Sequence, residues 1–296
     1  MAGPDQQEQP EAAPLRRDFQ GLRVLSLESR MAREMGRLIE RHGGRPLVVP
    51  ALREVPLPLQ KNEAVFRFGA KLILHQLDIL ILMTGVGTAA LFDIVKTRHA
   101  LPDILEGLKK TVVVTRGPKP LAALKALGVE ANIIVPEPNT WHDVIATLDY
   151  YRPVKGLTIA IQEYGASNRD MVRDLEARGA TVFPVPIYRW ALPEDTGPLM
   201  GAIYEILEGQ TDVLLITNAA QIDHVMQLVK EAGLTDRFLA ACRALVVGSI
   251  GPTASERLKQ HDILVDYEPS HPKMGVLVKE LGERAVSLVE EKRRRG

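Results

Sequence analysis

Six short loops, each joining an apolar run to a helical pattern, carry the residues best suited to binding a ligand. They cover residues 26–30, 84–88, 115–119, 163–168, 217–221 and 248–253. The N–H groups and the dipole at a helix N-terminus attract anions. Basic side chains in or beside these loops can add charge-assisted hydrogen bonds to carboxylates, although each one singly is more typical of a solvated surface charge; they are Arg30, Arg116, Lys119, Arg169, Arg189 and Lys273.

One of these loops also resembles a dinucleotide-binding fingerprint. Residues 85–90 read Gly-Val-Gly-Thr-Ala-Ala after an apolar run and at the start of a helical pattern, which matches G-x-G-x-x-A. The rest of that motif is missing, because Arg116 stands where an acidic residue should close the next strand. A nicotinamide oxidoreductase is therefore disfavoured.

The remaining side chains offer no other familiar catalytic template. The seven histidines are scattered without i, i+4 pairing, and no Cys-x-x-Cys motif occurs, so no metal site is predicted. The chain also contains no Gly-x-Ser-x-Gly elbow and no Walker loop. We expect a protein that uses no cofactor and binds its ligand through loops and backbone amides.

Composition narrows the class of protein further. The 296 residues include 37 basic and 37 acidic side chains, and this zero net charge gives no reason to expect nucleic acid as a partner. The single cysteine, Cys242, favours a reducing, cytoplasmic setting, and the apolar runs are too short to span a membrane. The segments 1–18 and 290–296 are predicted to be disordered or frayed.

The elements that position the loops form an internal duplication. Residues 157–185 read as strand, helix and strand, and the same order occurs at 22–49. A second echo relates the segment from Asp78 to that from Asp212, and a third relates the segment from Thr111 to that from Ala244. Alternating strands and helices predict an α/β fold with parallel sheets covered on both faces.

The order of the echoes is permuted between the two copies, and this predicts the domain organisation. One α/β domain is contiguous and covers 57–187, whereas the other is discontinuous and combines 20–50 with 196–285. The linkers 51–56 and 188–195 would then form a paired hinge with a cleft beside it. The segment 22–50 should share a sheet with 212–216 and 245–247, and Val24 should not lie beside Ile81.

Several segments together resemble the uroporphyrinogen-III synthase family. They are RPLVVP from Arg45, DILILMTGVGTAAL from Asp78, VVVTRGPKPLAALKALG from Val112, RDLEARGATVFPVPIY from Arg173, DVLLITNAAQI from Asp212, and LVVGSIGPTASERL from Leu245 with the SHPKMGVL ending. The resemblance implies two flavodoxin-like parallel-sheet domains joined by a two-stranded linker. Loops that usually read Thr-Ser here carry Thr84-Gly85 and Thr217-Asn218, and Gln162-Glu163-Tyr164 replaces a commoner basic start.

The resemblance also implies a reaction and its residues. The family closes linear hydroxymethylbilane with inversion of the last pyrrole ring and loss of water, in the biosynthesis of haem, sirohaem and cobalamin. Tyr188 is the first candidate for the proton donor, with packing against the linker as the alternative, and Tyr164 is the second. Thr84, Thr217 and Thr253 are candidates both for substrate contacts and for helix N-caps.

The complete set of predicted substrate-binding residues comes from the same loops. It comprises Arg30, Thr84, Gly85, Val86, Gly87, Arg116, Gly165, Ala166, Thr217, Asn218, Ala219, Gly251 and Thr253. The expected protein is a monomeric, cofactor-independent lyase acting in the cytoplasm on a small molecule, without a nucleic-acid or membrane partner. The alternative is a two-domain module that binds a small anion, or regulates, without catalysis.

Overall fold

The computed structural model describes residues 18–56, 62–163, 165 and 167–295. Its elements, numbered in chain order, are β1 (Arg23–Ser26), α1 (Ala32–Arg41), β2 (Arg45–Val48), β3 (Arg53–Pro56), α2 (Glu63–Ile73), β4 (Ile79–Leu82), α3 (Gly85–Val95), α4 (Leu101–Lys109), β5 (Val112–Thr115), α5 (Pro118–Lys125), β6 (Ile133–Ile134), α6 (Trp141–Tyr151), β7 (Thr158–Glu163), α7 (Arg169–Ala177), β8 (Thr181–Pro186), β9 (Tyr188–Ala191), α8 (Gly197–Leu207), β10 (Val213–Ile216), α9 (Ala219–Glu231), α10 (Thr235–Ala244), β11 (Val246–Ser249), α11 (Pro252–Gln260) and α12 (Met274–Arg295).

The chain divides into two compact units. Residues Leu52–Glu194 form the contiguous unit, and Met1–Ala51 with Asp195–Gly296 form the discontinuous unit, each within its described residues. The segment 1–18, predicted to be disordered, lies outside the described residues except for Asp18. The expected α/β class with two parallel-sheet domains is confirmed by this architecture.

The discontinuous unit contains a parallel sheet with strand order β11-β10-β1-β2. Val24 pairs with Val213, and Val213 pairs with Val246, so the predicted sharing of a sheet by these three segments is confirmed. The sheet buries Val24, Val213 and Val246 together with Met35 and Ile39 of α1. The cost of ordering the N-terminal strand is thereby offset by a core drawn from both ends of the chain.

The last helix completes that core. Leu277, Leu281 and Val289 of α12 lie in the same buried cluster as the sheet residues. Residues 290–296 were predicted to fray, and this is wrong for most of them, because α12 continues to Arg295. Lys292 anchors it, since its Nζ atom lies 2.7 Å from Asp266 Oδ2 and donates to Leu245 O at 2.6 Å.

The contiguous unit contains a second parallel sheet, of order β6-β5-β4-β7-β8. The central strand β4 is buried at every position, which explains its continuous apolar sequence Ile-Leu-Ile-Leu. Leu80 and Leu82 belong to the cluster on one face, and Ile79 and Ile81 belong to the cluster on the other. In the same unit β3 and β9 pair as an antiparallel ribbon, with Val55 opposite Arg189.

The two sheets repeat each other down to individual hydrogen bonds. Asp78 accepts from the N–H of Thr158 at 2.8 Å, and Asp212 accepts from the N–H of Arg23 at 2.8 Å. Each aspartate therefore fixes the start of one strand against the next, in equivalent places. The duplication seen in the sequence is thus a duplication of strand register.

Among the described residues, none of the helices combines the length and the apolar composition that a membrane span needs.

Candidate active site

The predicted site residues form one group on each unit, at the carboxyl ends of the parallel strands. In the contiguous unit, Thr84 follows β4 and is the N-cap of α3, where its side chain accepts from the N–H of Gly87 at 3.1 Å. Gly85 and Val86 are the first two residues of that helix, so their N–H groups have no intrahelical acceptor. The side chain of Val86 is 52% exposed.

Gln162 holds this loop from the neighbouring strand. Its Oε1 atom accepts from the N–H groups of Met83 and Thr84, both at 3.2 Å, and its Nε2 atom donates to Glu163 O at 2.8 Å. The side chain is fully buried, so these bonds are made in a low-dielectric setting and are costly to lose. Gln162 therefore fixes the position of the Thr84 loop relative to the end of β7.

The two glycines of the G-x-G motif are explained by close packing. A Cβ atom on Gly87 would lie 2.1 Å from Gln162 Nε2, and a Cβ atom on Gly85 would lie 2.7 Å from the Lys119 carbonyl oxygen. Any larger residue would push α3 away from Gln162 or from the start of α5. The two glycines are therefore explained by the close approach of the Gln162 side chain and the Lys119 backbone, and they do not require a bound nucleotide.

The β5–α5 loop lies beside this helix start. The N–H of Arg116 donates to Leu82 O at 3.0 Å, which extends the pairing of β4 with β5 by one residue. Gly117 is the N-cap of α5, and a Cβ atom there would lie 2.7 Å from the terminal amide group of Asn139. With its amide oriented to satisfy both groups, Asn139 donates to the carbonyls of Arg116 and Val135 at 2.6 and 3.0 Å.

The β7–α7 loop brings a carboxyl group to the same edge. Glu163 ends β7, and Ser167 Oγ donates to its Oε1 atom at 2.5 Å. Burial raises the pKa of Glu163, and the Ser167 hydrogen bond partly opposes that shift. Asn168 then caps α7 by accepting from the N–H of Met171 at 3.0 Å. Two predicted site residues of this loop, Tyr164 and Ala166, lie outside the described residues.

Gly165 connects this loop to the β3–β9 ribbon. Its N–H donates to Tyr188 O at 3.3 Å, its φ angle is +77°, and a Cβ atom would lie 1.8 Å from Trp190 Cδ1. Tyr188 itself is 6% exposed and belongs to the core cluster that includes Val185 and Ile187. Its ring meets that of Trp190 edge-on, with centroids 5.7 Å apart.

The discontinuous unit arranges the equivalent loops around a different carboxylate. Glu28 follows β1, and its Oε1 atom accepts from the N–H groups of Arg30 and Met31 at 3.0 and 3.2 Å. Its Oε2 atom accepts from Thr217 Oγ1 at 2.6 Å. Thr217 is therefore engaged with Glu28, while the next residue, Asn218, caps α9. Arg30 is exposed at the turn before α1.

Gln221 holds a loop of this unit in the same way as Gln162 holds the Thr84 loop of the other. Its Oε1 atom accepts from the N–H groups of Thr217 and Asn218 at 2.8 and 3.1 Å, and its Nε2 atom donates to Leu27 O at 3.0 Å. It comes from α9 rather than from the neighbouring strand. Ala219 begins α9 at this point, so its N–H has no intrahelical acceptor.

The last two predicted binding residues lie at the start of α11. Gly251 is the N-cap of this helix and is buried, whereas Thr253 is exposed one residue after Pro252. A Cβ atom on Gly251 would lie 3.3 Å from Pro272, so the 268–273 segment packs against this helix start. That segment is held in turn by Glu280, which accepts from the N–H of Ser270 at 2.9 Å.

Glu28, Gln162 and Gln221 hold the loops in place, a role that no motif in the sequence indicates. The repeat itself contained a usable signal, because the matched segments place Glu28 and Glu163 at equivalent positions at the carboxyl ends of β1 and β7. The described residues contain no group of three or more His, Cys, Asp or Glu side chains that could hold a metal ion.

Comparison with known proteins identifies the family of this chain. A family model described as "Uroporphyrinogen-III synthase HemD" matches residues 33–279. The chain belongs to the HemD uroporphyrinogen-III synthase family. Since the match enters both units, the family resemblance inferred from the scattered segments is confirmed, and the sequence motifs of both sheets belong to one family pattern.

Relatives and solved structures extend the comparison. YjjA from Bacillus subtilis (strain 168) is 25% identical over 264 residues, which cover 89% of this chain and 96% of YjjA. A mutant uroporphyrinogen III synthase from the extremely thermophilic bacterium Thermus thermophilus has a TM-score of 0.69 and 22% identity, with 90% of this chain and 100% of that chain covered. The wild-type Thermus enzyme has a TM-score of 0.56 and 24% identity, with coverage of 90% and 99%. These structures share the two-domain fold of the synthase family.

Proposed function

We propose that this protein is a uroporphyrinogen-III synthase. It would close hydroxymethylbilane into a macrocycle, invert the terminal pyrrole ring and release water, which makes it a cyclising hydro-lyase of tetrapyrrole biosynthesis. The observation that carries the proposal is the family match over residues 33–279, which enters both α/β units. A monomer acting in the cytoplasm, as a supplier of haem, sirohaem or cobalamin precursors, is part of the same proposal.

The loop geometry supports binding of a molecule with many carboxylates. The N–H groups of Gly85 and Val86 in one unit and of Ala219 in the other lie at helix starts without intrahelical acceptors. Such groups bind acetate and propionate side chains through backbone hydrogen bonds and the helix dipole. Arg30 and Arg116 would add charge, so a polyanion can be bound although the net charge of the protein is zero.

The chemical demands of the reaction are modest. The electron-rich pyrrole expels its hydroxyl group as water when a proton reaches the leaving oxygen, which gives an electrophilic azafulvene. The protein must then hold the bilane so that the substituted carbon of the terminal pyrrole attacks, and the resulting spiro intermediate fragments and closes again. We propose Tyr188 as the proton donor. The hydrogen-bonded loops at the strand ends would hold the bilane in one conformation.

The test is incubation with freshly generated hydroxymethylbilane and separation of the oxidised products into isomers I and III. Ring closure without inversion, which the bilane undergoes unaided, gives isomer I. Isomer III above the protein-free blank is the expected result. A product with the isomer composition of the blank would reject the synthase and favour a module that binds a small anion without catalysis.

A further inference from the structure

The starts of α3 and α9 occupy equivalent places in the two units, but their polar groups are satisfied to different degrees. At α9, Asn218 Oδ1 accepts from the N–H of Ala220 at 2.9 Å, and the Thr217 hydroxyl donates to Glu28 Oε2 at 2.6 Å. Within the described residues, the Ala219 N–H is then the open amide of this helix start. Glu28 also places a negative charge of the protein itself at this edge of the sheet.

The start of α3 keeps more free donors. Thr84 Oγ1 accepts from the N–H of Gly87 at 3.1 Å, which leaves the hydroxyl proton of Thr84 free to be donated. The N–H groups of Gly85 and Val86 have no acceptor in the part of the chain that the structure describes. The side chain of Val86 is exposed, so this helix start lies at the surface of its unit. An anion is the ligand that such a set of donors favours.

A buried hydroxyl on the same face of the sheet also lacks a partner. Thr115 ends β5 and is fully buried, yet its Oγ1 atom has no hydrogen-bond partner among the described residues. Both Thr115 and Gln162 pair with Leu82, so all three side chains point to the face that α3 and α5 cover. The equivalent residue of the other unit, Ser249, is satisfied because its hydroxyl donates to Gly251 O at 3.1 Å. The unsatisfied hydroxyl is a second sign that this edge is completed by a ligand.

Gln162 holds the α3 start with a group that carries no charge. Its Oε1 atom accepts from the N–H groups of Met83 and Thr84, and its Nε2 atom donates to Glu163 O. The side chain is fully buried, and a Cβ atom on Gly87 would lie 2.1 Å from Nε2, so the amide group lies against the first turn of α3. A carboxylate in this place would still accept from the two N–H groups, but it would repel an anion bound by the same helix start.

We propose that the start of α3 is the principal carboxylate-binding site of this protein, and that Gln162 is the positioning residue that keeps this site ordered and uncharged. Glu28 makes the equivalent edge of the discontinuous unit the weaker anion site. This inference rests on the proposed synthase function for the identity of the ligand, a bilane with acetate and propionate side chains. Amides that bind a carboxylate remote from the reacting atoms act equally before and during the reaction, so they set KM rather than kcat.

The first test measures binding of uroporphyrin, the fluorescent oxidised form of the macrocycle, which keeps the acetate and propionate groups. Gln162→Glu adds a negative charge beside the α3 start without changing the shape of the side chain. Its Kd for uroporphyrin and its KM for hydroxymethylbilane should rise about 10- to 100-fold, while kcat stays within about threefold of the parent value. Gln76→Glu adds the same charge in the exposed segment before β4, at the opposite end of the sheet, and should keep the parent Kd.

The second test makes the reverse change at the other edge. Glu28→Gln removes the negative charge but can still accept from the N–H groups of Arg30 and Met31. Its Kd for uroporphyrin should equal or fall below the parent value, in contrast to the loss of affinity expected for Gln162→Glu. Glu34→Gln is the matched control, because it removes one negative charge from the exposed surface of α1.

A third comparison stays informative if Gln162→Glu does not fold. An acidic residue in the first turn stabilises a helix, and the side chain of Val86 is exposed, so Val86→Asp should fold. Its carboxylate would compete with the ligand for the same amides. Val86→Asp should therefore raise the Kd for uroporphyrin about tenfold more than Val86→Asn, which has the same shape without the charge.

The outcomes separate this site from the synthase function. A parent protein that makes isomer III, while Gln162→Glu and Val86→Asp keep its KM and Kd, rejects the α3 site alone. A larger loss of affinity in Glu28→Gln than in Gln162→Glu also rejects it. A parent protein that gives the isomer composition of the protein-free blank, but binds uroporphyrin and loses this binding in the two acidic variants, supports the α3 site and rejects the synthase. A parent protein that neither binds uroporphyrin nor makes isomer III rejects both.

Discussion

At the scale of single residues, Tyr188 combines a buried ring with a proposed chemical role. The ring packs in the core of the contiguous unit against Trp190, and Tyr188→Phe preserves that packing. We expect stability and KM to stay near the parent values, while kcat falls about tenfold to a thousandfold through loss of one positioned acid. Isomer III should still form slowly, because the bilane sheds its hydroxyl unaided.

The matched control for this variant is Tyr150→Phe, whose side chain is 80% exposed at the end of α6. It should leave kcat unchanged. If Tyr188→Phe also keeps the parent kcat, the tyrosine is a packing residue, and Tyr164→Phe becomes the next variant to measure.

Gly165 gives a second test at this scale. Ala at a φ angle of +77° costs about 1 to 2 kcal/mol, and here its Cβ atom would also overlap Trp190 Cδ1 at 1.8 Å. Gly165→Ala should therefore lower the free energy of unfolding by roughly 1 to 3 kcal/mol more than the backbone cost alone. Gly128→Ala is the control, since its φ angle is +72° and no atom lies within 4 Å of its Cβ position.

Urea unfolding of both variants measures this difference. Gly165→Ala should cost less in a Trp190→Ala background than in the parent protein, because the overlap with the Trp190 ring is then absent. Equal losses at Gly165 and Gly128 would contradict the contact between the β7–α7 loop and the ribbon.

At the scale of elements, Asp223 joins α9 to α11. Its carboxylate accepts from Arg257 Nε at 2.6 Å and from His261 Nε2 at 2.7 Å. Burial alone would raise the pKa of Asp223, but the hydrogen bonds from His261 and Arg257 outweigh it and hold the pKa below its ordinary 3.8. The stabilisation is therefore present above about pH 4 and is lost as pH falls through the lower pKa of the folded protein.

Asp223→Asn should make the discontinuous unit less stable at pH 7 by about 1 kcal/mol, a value reduced for the partial exposure of the pair. The difference from the parent should shrink as the pH is lowered below 3.8. Urea unfolding at several pH values provides the measurement, with Glu231→Gln on the same helix as the control. A loss that stays constant down to the lowest pH would contradict the charge-based origin.

Among the elements, strand pairing could be predicted from the sequence, whereas the hydrogen bonds that hold the loops could not. The echo from Asp78 to Asp212 predicted which strands share a sheet, because apolar runs and strand-starting aspartates recur with equal spacing. It could not predict that Gln162 and Gln221, from a strand and from a helix, would bind equivalent loops. The hydrogen-bond partner of a long side chain depends on the distances between neighbouring elements at the edge of the sheet, and these distances cannot be read from sequence spacing.

α12 shows the same limit. Its basic end was expected to fray, yet Lys292 lies against Asp266 and the Leu245 carbonyl. The anchor depends on residues that are distant in sequence, as does the engagement of Thr217 by Glu28. Helix starts and glycine turns were visible in the sequence because their signals are local.

At the scale of the whole molecule, a permuted duplication provides two similar sheet edges and uses them differently. The edge with Glu28 is closed by hydrogen bonds within its own loops. The edge with Glu163 keeps a carboxyl at the end of β7 whose pKa is raised by burial and which accepts from the Ser167 hydroxyl. The two edges therefore share their strand register and differ in the hydrogen bonds of their loops.

Turnover of hydroxymethylbilane by a trace amount of the protein is the decisive measurement for the proposed synthase function. A synthase converts many equivalents of bilane per protein molecule, so isomer III should dominate the product at substrate in large excess. A protein that only binds the bilane can alter the isomer ratio no further than in proportion to its own concentration. Isomer III that never exceeds one equivalent of protein, or that equals the protein-free blank, would contradict the proposed synthase function.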